Sequence, residues 1–198
     1  MKIMNEQLKS YLSKMNFLSE DEINYSIGFF EHKKIKNGDF FIRENRVCNQ
    51  VGFIINGGTK AFSTNFDGIE NVTCFKFENQ FITSYTDLIS RRSSKKSIQA
   101  IEDSTILSIS YKDLTHLLSK ISSWARIAQL LVEQDYAEKE SYLLNYNSKS
   151  AKEKYLFVLA SSSYLIKRVK TQDLSSYLGI TQRTLSRIKK EIITDSSF

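Results

Sequence analysis

Amide and guanidinium side chains lie close together between positions 182 and 190, beside two consecutive lysines. Gln182, Arg183 and Arg187 are the planar donors in this stretch. An Arg side chain can donate two parallel hydrogen bonds to guanine, and a Gln amide can pair with adenine, at base edges in a major groove. We therefore predict that these three residues contact bases. Phosphate contacts are predicted for the hydroxyls and lysines around them, namely Thr171, Thr181, Ser186, Lys189 and Lys190.

The elements that would position these side chains are two short helices joined by a tight turn. Leu174 and Leu178 are four residues apart and share one helix face. Gly179 follows at once, and glycine adopts the left-handed backbone conformation that ends many helices. Thr171 is predicted to cap the first helix and Thr181 the second, with their hydroxyls accepting backbone N–H groups. The pattern predicts a helix-turn-helix; the alternative is an ordinary helical hairpin with a solvated basic face.

The charge of the chain is concentrated in the same region. From Lys149 to Phe198 there are ten Lys or Arg and four Asp or Glu, which gives +6 and accounts for the whole net charge. The preceding residues hold eighteen of each sign. A neutral body with one basic segment is the charge distribution expected of a nucleic-acid-binding domain.

The remainder of the chain predicts an α+β protein. Residues 3–33 have the apolar spacing of short helices, and residues 35–109 alternate β-rich runs with turn signals. Short strands at this spacing favour a sandwich or barrel. The turns at Gly57-Gly58 and Asp67-Gly68 suit tight hairpins. The β-rich runs are residues 51–55, 60–64, 71–77, 98–101 and 105–109.

A long helix is predicted between the β-rich region and the basic segment. Residues 121–147 contain no Gly or Pro and could form a helix of about 40 Å. Apolar and small side chains recur near a 3.5-residue period, which suits pairing with a second copy of the chain. The alternative is a helix packed wholly on its own barrel. The predicted seam comprises Ile127, Leu130, Leu131, Gln134, Ala137, Ser141 and Leu144.

Several classes of protein are disfavoured by what the sequence lacks. The two histidines, His32 and His116, are distant from each other and have no companions at metal-ligand spacing, so we expect no metal. Cys48 and Cys74 form no CxxC pair, and buried reduced thiols are expected. Motifs for phosphate-loop, hydrolase and dinucleotide sites are missing, so we predict that the protein is not an enzyme. An apolar run long enough for a membrane span and a signal peptide are also missing, so a cytoplasmic location without membrane contact is expected.

The order of β-rich domain, long helix and helix-turn-helix resembles the Crp/Fnr family of bacterial transcription regulators. The similarity extends over nearly the whole chain, and two C-terminal segments resemble the Bacteroidetes-type branch of the family. The resemblance implies a double-stranded β-helix (jelly-roll) barrel in residues 1–120, a dimerisation helix in 121–148 and a DNA-binding domain in 149–198. The similar segments are Asp39–Glu44, Val51–Gly57, Asn79–Tyr85, Ser97–Asp103, Ile109–Leu114, Ser150–Tyr155 and Ser176–Ile188.

The chain departs from the family pattern at the cyclic-nucleotide cassette. Members that bind cyclic AMP carry a Gly-Glu pair for the ribose and an Arg-Ser or Arg-Thr pair for the phosphate. Here the first pair aligns with Thr83-Ser84 and the second with Ser94-Lys95. We therefore predict that cyclic AMP is not the effector. Thr83, Ser84, Ser94, Lys95 and Lys96 form the candidate effector cassette, although Arg91, Arg92 and the two lysines also fit a solvated basic loop.

A second departure concerns the wing, a β-hairpin that follows the recognition helix in the family. Few residues follow the predicted recognition helix here, so we expect the wing to be reduced or absent. The resemblance implies a homodimeric regulator that binds double-stranded DNA, senses an unidentified small effector and has RNA polymerase as a candidate further partner. The alternative is a barrel that binds a small molecule or protein and whose basic tail is a non-specific nucleic-acid anchor.

Overall fold

The computed structural model describes residues 2–195, which divide into two compact units. The first unit contains the chain through Ser63 together with Cys74–Gln134. The second contains Thr64–Thr73 together with the chain from Asp135 onward. Among residues 2–195, no helix combines the length and the hydropathy needed to cross a membrane.

Eight antiparallel strands form two four-stranded sheets with jelly-roll connectivity. The order β1-β8-β3-β6 defines one sheet and β2-β7-β4-β5 the other. This arrangement confirms the predicted double-stranded β-helix. The strands of the first sheet are β1 (Glu31–Ile35), β8 (Ser104–Ser110), β3 (Gln50–Asn56) and β6 (Phe81–Ile82); those of the second are β2 (Phe40–Ile42), β7 (Ser97–Ala100), β4 (Thr59–Thr64) and β5 (Glu70–Lys76).

Alternation along β3 and β8 divides the apolar side chains between two cores. Ile54 and Ile106 point between the sheets, where they pack with residues of the opposite sheet such as Ile98. Phe53 and Leu107 point the other way and pack under the helices. Successive side chains of a strand face opposite sides, so these central strands supply both cores.

Four helices and the start of a fifth complete the first unit. The helices α1 (Lys2–Lys14) and α2 (Glu20–Ile27) precede the barrel, α3 (Tyr85–Ser90) lies between β6 and β7, and α4 (Tyr111–Lys120) follows β8. The long helix α5 (Ser123–Ser148) begins in this unit. Trp124 on α5, which is the only tryptophan in the sequence, is buried, and its indole N–H donates to the buried Ser26 hydroxyl at 2.8 Å.

The second unit contains the C-terminal helices and the end of α5. The C-terminal helices are α6 (Ala151–Ser161), α7 (Ser163–Arg168), α8 (Thr171–Leu178) and α9 (Gln182–Asp195). Ser150 caps α6, and Glu153 bonds back to the Ser150 N–H in a complete capping box. The loop between β4 and β5 also belongs to this unit.

The predicted strands are found in the structure, but one predicted turn is wrong. β4 and β5 are neighbours in one sheet, so Asp67-Gly68 lies in a hairpin as expected. Gly57-Gly58 instead joins β3 in one sheet to β4 in the other and makes no hairpin. Gly57 has φ +101°, and a β-carbon there would lie 2.7 Å from Ser104 Cα, so the crossover requires glycine.

Candidate nucleic-acid interface and sensor loop

The two helices of the predicted helix-turn-helix meet at a glycine turn. Gly179 has φ +65°, and its N–H bonds to the carbonyls at the end of α8. Ile180 N–H then donates to Ser175 O at 3.0 Å, which completes the reversal of the chain. The side chains predicted to face inward are buried, as Leu174, Leu178, Leu185 and Ile188 are at most 3 % exposed.

One predicted cap is confirmed and the other is wrong. Thr181 Oγ1 accepts the backbone N–H of Thr184 at 3.1 Å, so Thr181 caps α9. Thr171 is instead the first residue of α8, and Lys170 precedes it without any side-chain cap bond. A residue that already has helical backbone angles cannot cap its own helix, so the Thr171 hydroxyl does not have the predicted capping role.

The predicted base-reading residues share the exposed surface of α9. Gln182, Arg183, Ser186, Arg187 and Lys190 are exposed, and Lys189 is half-buried. Arg187 has 72 % of its side chain exposed, and its Nε lies 3.6 Å from Glu191 Oε1 one turn later. An exposed pair of this kind is worth about 0–1 kcal/mol, so Arg187 can leave Glu191 for a stronger partner.

Two tyrosines on α5 pack against the helix-turn-helix, and the sequence analysis did not identify them. Tyr142 on α5 stacks on Tyr177 of α8 with ring centroids 4.8 Å apart, and its hydroxyl donates to Tyr177 O at 2.7 Å. Burial, with a smaller contribution from Tyr146, raises the pKa of Tyr142 to about 12. Tyr146 lies against the Gly179 turn, and the Lys154 ammonium sits 3.9 Å from the centre of its ring.

Ser176 joins α8 to the β4–β5 hairpin within the same unit. Its hydroxyl donates to Glu70 O at 2.8 Å and accepts Val72 N–H at 3.0 Å. β5 is at the edge of its sheet, so this hydroxyl satisfies backbone groups that a neighbouring strand would otherwise bond. These partners are more than a hundred residues apart, and nothing in the local sequence indicates the contact.

The predicted seam of α5 separates into buried and exposed parts. Ile127 is fully buried in the first unit's core, and Leu131 packs partly against that core. Ile127 is therefore not available to a second chain, which corrects its assignment to the seam. Leu130 is half-buried, while the exposed members of the seam lie further along the helix at Gln134, Ala137, Ser141 and Leu144.

The candidate effector cassette is organised around a carboxylate that the sequence analysis missed. Asp87 on α3 is 8 % exposed and accepts from Ser84 Oγ at 2.5 Å. Ser94 Oγ lies 3.0 Å from the same carboxylate oxygen, and the Lys95 backbone N–H donates to it at 3.3 Å. The structure thus brings Ser84, Ser94 and Lys95 together, but their donors already have an anionic partner.

The other cassette residues are partly occupied elsewhere. Thr83 Oγ1 donates to Gln50 O at 3.0 Å, and the Lys95 side chain is exposed. Arg91 donates to Cys48 O at 3.0 Å and stacks its guanidinium 4.1 Å from the centre of the Tyr111 ring. Arg91 is therefore anchored to the barrel and is not part of a freely solvated basic loop. Cys48 is buried and Cys74 half-buried, and both carry reduced thiols.

Comparisons with known proteins identify the barrel and the overall architecture. Residues 32–120 match the sequence profile of the cyclic nucleotide-binding domain. A search of curated protein sequences found no match.

Solved structures similar to this chain include three bacterial regulators. FixK2 from Bradyrhizobium japonicum has a TM-score of 0.75 and 18 % identity over 84 % of this chain and 86 % of its own. CLP, a c-di-GMP responsive global regulator from Xanthomonas campestris, has a TM-score of 0.73 and 15 % identity over 90 % of this chain and 93 % of its own. A transcriptional regulator of the Crp/Fnr family from Eubacterium rectale has a TM-score of 0.73 and 13 % identity over 94 % and 88 %.

Proposed function

Because residues 32–120 belong to the cyclic nucleotide-binding domain family and the chain has the fold of Crp/Fnr transcription regulators, we propose that it is a homodimeric, sequence-specific DNA-binding regulator. Its barrel senses a small effector other than cyclic AMP. RNA polymerase is a candidate further partner, and the regulator acts in the cytoplasm without catalysing a reaction.

The observation that carries the proposal is the division of α9 into two faces. Leu185 and Ile188 are buried against the unit, while Gln182, Arg183 and Arg187 are on the exposed side. Positions 183 and 187 are one turn apart, so both side chains can enter the same groove. The cap by Thr181 leaves the start of α9 suited to a phosphate of the backbone.

Dimerisation is supported by the exposed portion of α5. Tyr136, Leu143 and Leu144 are between 55 and 67 % exposed, and the two leucines follow Tyr136 by seven and eight residues, so all three share one helix face. Contiguous exposed apolar surface of this kind marks interaction sites. A second copy of the same helix would cover them in an isologous interface. Two recognition helices could then contact half-sites separated by about 34 Å.

Exclusion of cyclic AMP is supported by the chemistry of residues 83–96, which contain the candidate effector cassette and which we call the sensor loop. Thr83 and Ser84 stand where family members that bind it have Gly and Glu, and Ser94 and Lys95 stand where they have Arg and Ser or Thr. The ribose carboxylate and the bidentate guanidinium are therefore missing, and Asp87 adds a negative charge beside Ser94.

The decisive experiment compares a base contact with a phosphate contact. Wild-type protein is used to select sites from random DNA, and Arg187→Ala and Lys189→Ala are then measured on the selected and scrambled sites. Losing a bidentate base contact costs roughly 1–3 kcal/mol, mainly on the matched sequence. Losing a phosphate contact weakens binding to both DNAs alike and reduces the salt dependence.

Glu191→Gln supplies a matched control, since it frees Arg187 from its neighbour without altering the base-reading side chains. We expect equal or tighter binding to the selected site. Equal loss on both DNAs for Arg187→Ala would show that Arg187 contacts only the backbone. If the wild type selects no sequence, the protein is instead an interaction module with a non-specific anchor.

A further inference from the structure

The sensor loop contains a buried carboxylate, that of Asp87 on the short helix α3, which three hydrogen-bond donors contact. Asp87 Oδ2 lies within hydrogen-bond distance of Ser84 Oγ, Ser94 Oγ and the Lys95 N–H. The two serine side chains are each 1 % exposed. Ser94 also lies 2.8 Å from Lys96 O, so its single proton is shared between two acceptors.

The electrostatics of this loop favour an anion. Burial raises the pKa of Asp87, but the bonds from Ser84 and Ser94, the Lys95 N–H and the charge of Lys96 together outweigh it and lower the pKa below its ordinary value. The carboxylate is therefore ionised at neutral pH. Burying an ionised group is costly unless donors compensate it, and these donors do so.

We propose that the sensor loop is an oxyanion-binding site that the protein fills with its own Asp87 carboxylate. Two hydroxyls, a backbone N–H and a nearby lysine are the donors that would bind a small carboxylate or a phosphate. The loop is fixed around them because Asn45 N–H bonds Ser94 O and Ser94 N–H bonds Arg46 O, both at 2.8 Å.

Self-occupation has a consequence for the effector. An external phosphate or carboxylate would have to displace a covalently tethered anion, whose effective concentration is high. The wild-type loop therefore rejects free oxyanions, and an effector bound by the barrel must be recognised through other groups. This inference concerns the barrel alone and does not depend on DNA binding.

The test is chemical rescue by anions. Asp87→Ala empties the site and leaves its donors, whereas Asp87→Asn keeps the shape and fills the site with a neutral group. Asp113→Ala is a matched control, since Asp113 accepts from Ser110 Oγ at 2.6 Å on an exposed helix start. Thermal unfolding is measured by tryptophan fluorescence in chloride, formate or inorganic phosphate at equal ionic strength.

We expect formate or phosphate at about ten times its dissociation constant to raise the Tm of Asp87→Ala by roughly 3–6 °C. Wild type, Asp87→Asn and Asp113→Ala should show no anion-specific change. The same anion effect in all four proteins, or none in a folded Asp87→Ala, would overturn the proposal.

If Asp87→Ala does not fold, the carboxyl titration of Asp87 in wild type is followed by NMR. A pKa at or above that of an ordinary aspartate would show that the surrounding donors do not stabilise the carboxylate anion over the neutral acid, and the proposal would fail. A pKa below it, combined with cyclic AMP and phosphate titrations of wild type that give no heat, would support it.

Discussion

Replacing Gly179 by alanine tests how the helix-turn-helix is held together. The substitution adds one methyl group at a residue with φ +65°, between α8 and α9. The added β-carbon would lie 2.6 Å from Tyr146 Cζ and 2.7 Å from Cε2, well inside van der Waals contact. Gly179→Ala therefore combines backbone strain with a clash against an aromatic ring.

The two costs can be worked out separately. A left-handed conformation costs an L-residue roughly 1–2 kcal/mol. Forcing a methyl group into a filled site typically costs about 1–3 kcal/mol. The Tyr146 ring contacts two further side chains, Tyr142 at 5.5 Å between ring centres and Lys154 at 3.9 Å, so moving the ring would lose these contacts. We expect a destabilisation of roughly 2–5 kcal/mol.

A matched glycine isolates the strain. Gly68 is in the same unit with φ +78°, and a β-carbon there would meet nothing within 4 Å. Gly68→Ala should therefore cost only the backbone part, about 1–2 kcal/mol. Urea denaturation followed by far-ultraviolet circular dichroism measures both variants. The single tryptophan reports on the first unit and should show little change with Gly179→Ala.

A double-mutant cycle with Tyr146→Ala completes the assay. Removing the ring should reduce the cost of Gly179→Ala by about 1–3 kcal/mol, because only the backbone strain remains. If Gly179→Ala and Gly68→Ala cost the same, the clash with Tyr146 contributes nothing. If Tyr146→Ala leaves the cost of Gly179→Ala unchanged, the reasoning about this turn is refuted.

Four further outcomes follow from the same contacts. Leu144→Glu places a charge on the exposed part of α5, and light scattering should show a monomer for this variant and a dimer for wild type; a monomeric wild type would contradict the proposed dimer. Ser26→Ala leaves the buried indole N–H without its partner and should lower the free energy of unfolding by about 1–3 kcal/mol in urea denaturation; an unchanged midpoint would contradict this. Tyr142 retains its proton to about pH 12 in the folded state, whereas the unfolded chain releases it near pH 10, so stability should fall as pH rises above about 10 and fall less in Tyr142→Phe. Ser176→Ala should cost about 1–3 kcal/mol because it unpairs two backbone groups of the hairpin, whereas Ser175→Ala, whose hydroxyl bonds only within its own helix, is the control and should cost less.

Strands β1 and β6 and the residue that caps α8 could not be predicted from the local sequence pattern. β6 has only two residues, Phe81–Ile82, and β1 reads Glu31–Ile35 with three charged side chains and a histidine, so neither shows the alternation of a half-buried strand. Thr171 has a residue type that favours the N-cap position, but in the structure the N-cap of α8 is the preceding residue, Lys170. Helix ends fray, so the residue type at a boundary does not fix the first helical position to better than one or two residues.

The sequence by itself determined the features that depend on neighbouring residues. Gly179 and Thr181 fix the turn because backbone conformation and capping act within a few residues. The spacing of Leu185 and Ile188 assigns the buried face of α9, and therefore also the exposed face that carries Arg187, because helical periodicity is local. Charge segregation and the β-rich runs similarly required no knowledge of the fold.

Only the tertiary structure decided which distant groups meet. Asp87 gains its partner Ser94 across the α3–β7 loop, and Ser176 gains the edge of β5 from more than a hundred residues away. Ile127 fits the seam pattern as well as Leu144 does, yet it is buried in its own unit's core. A pattern of residue types fixes which face of a helix is apolar, but the packing of the whole chain determines what covers that face.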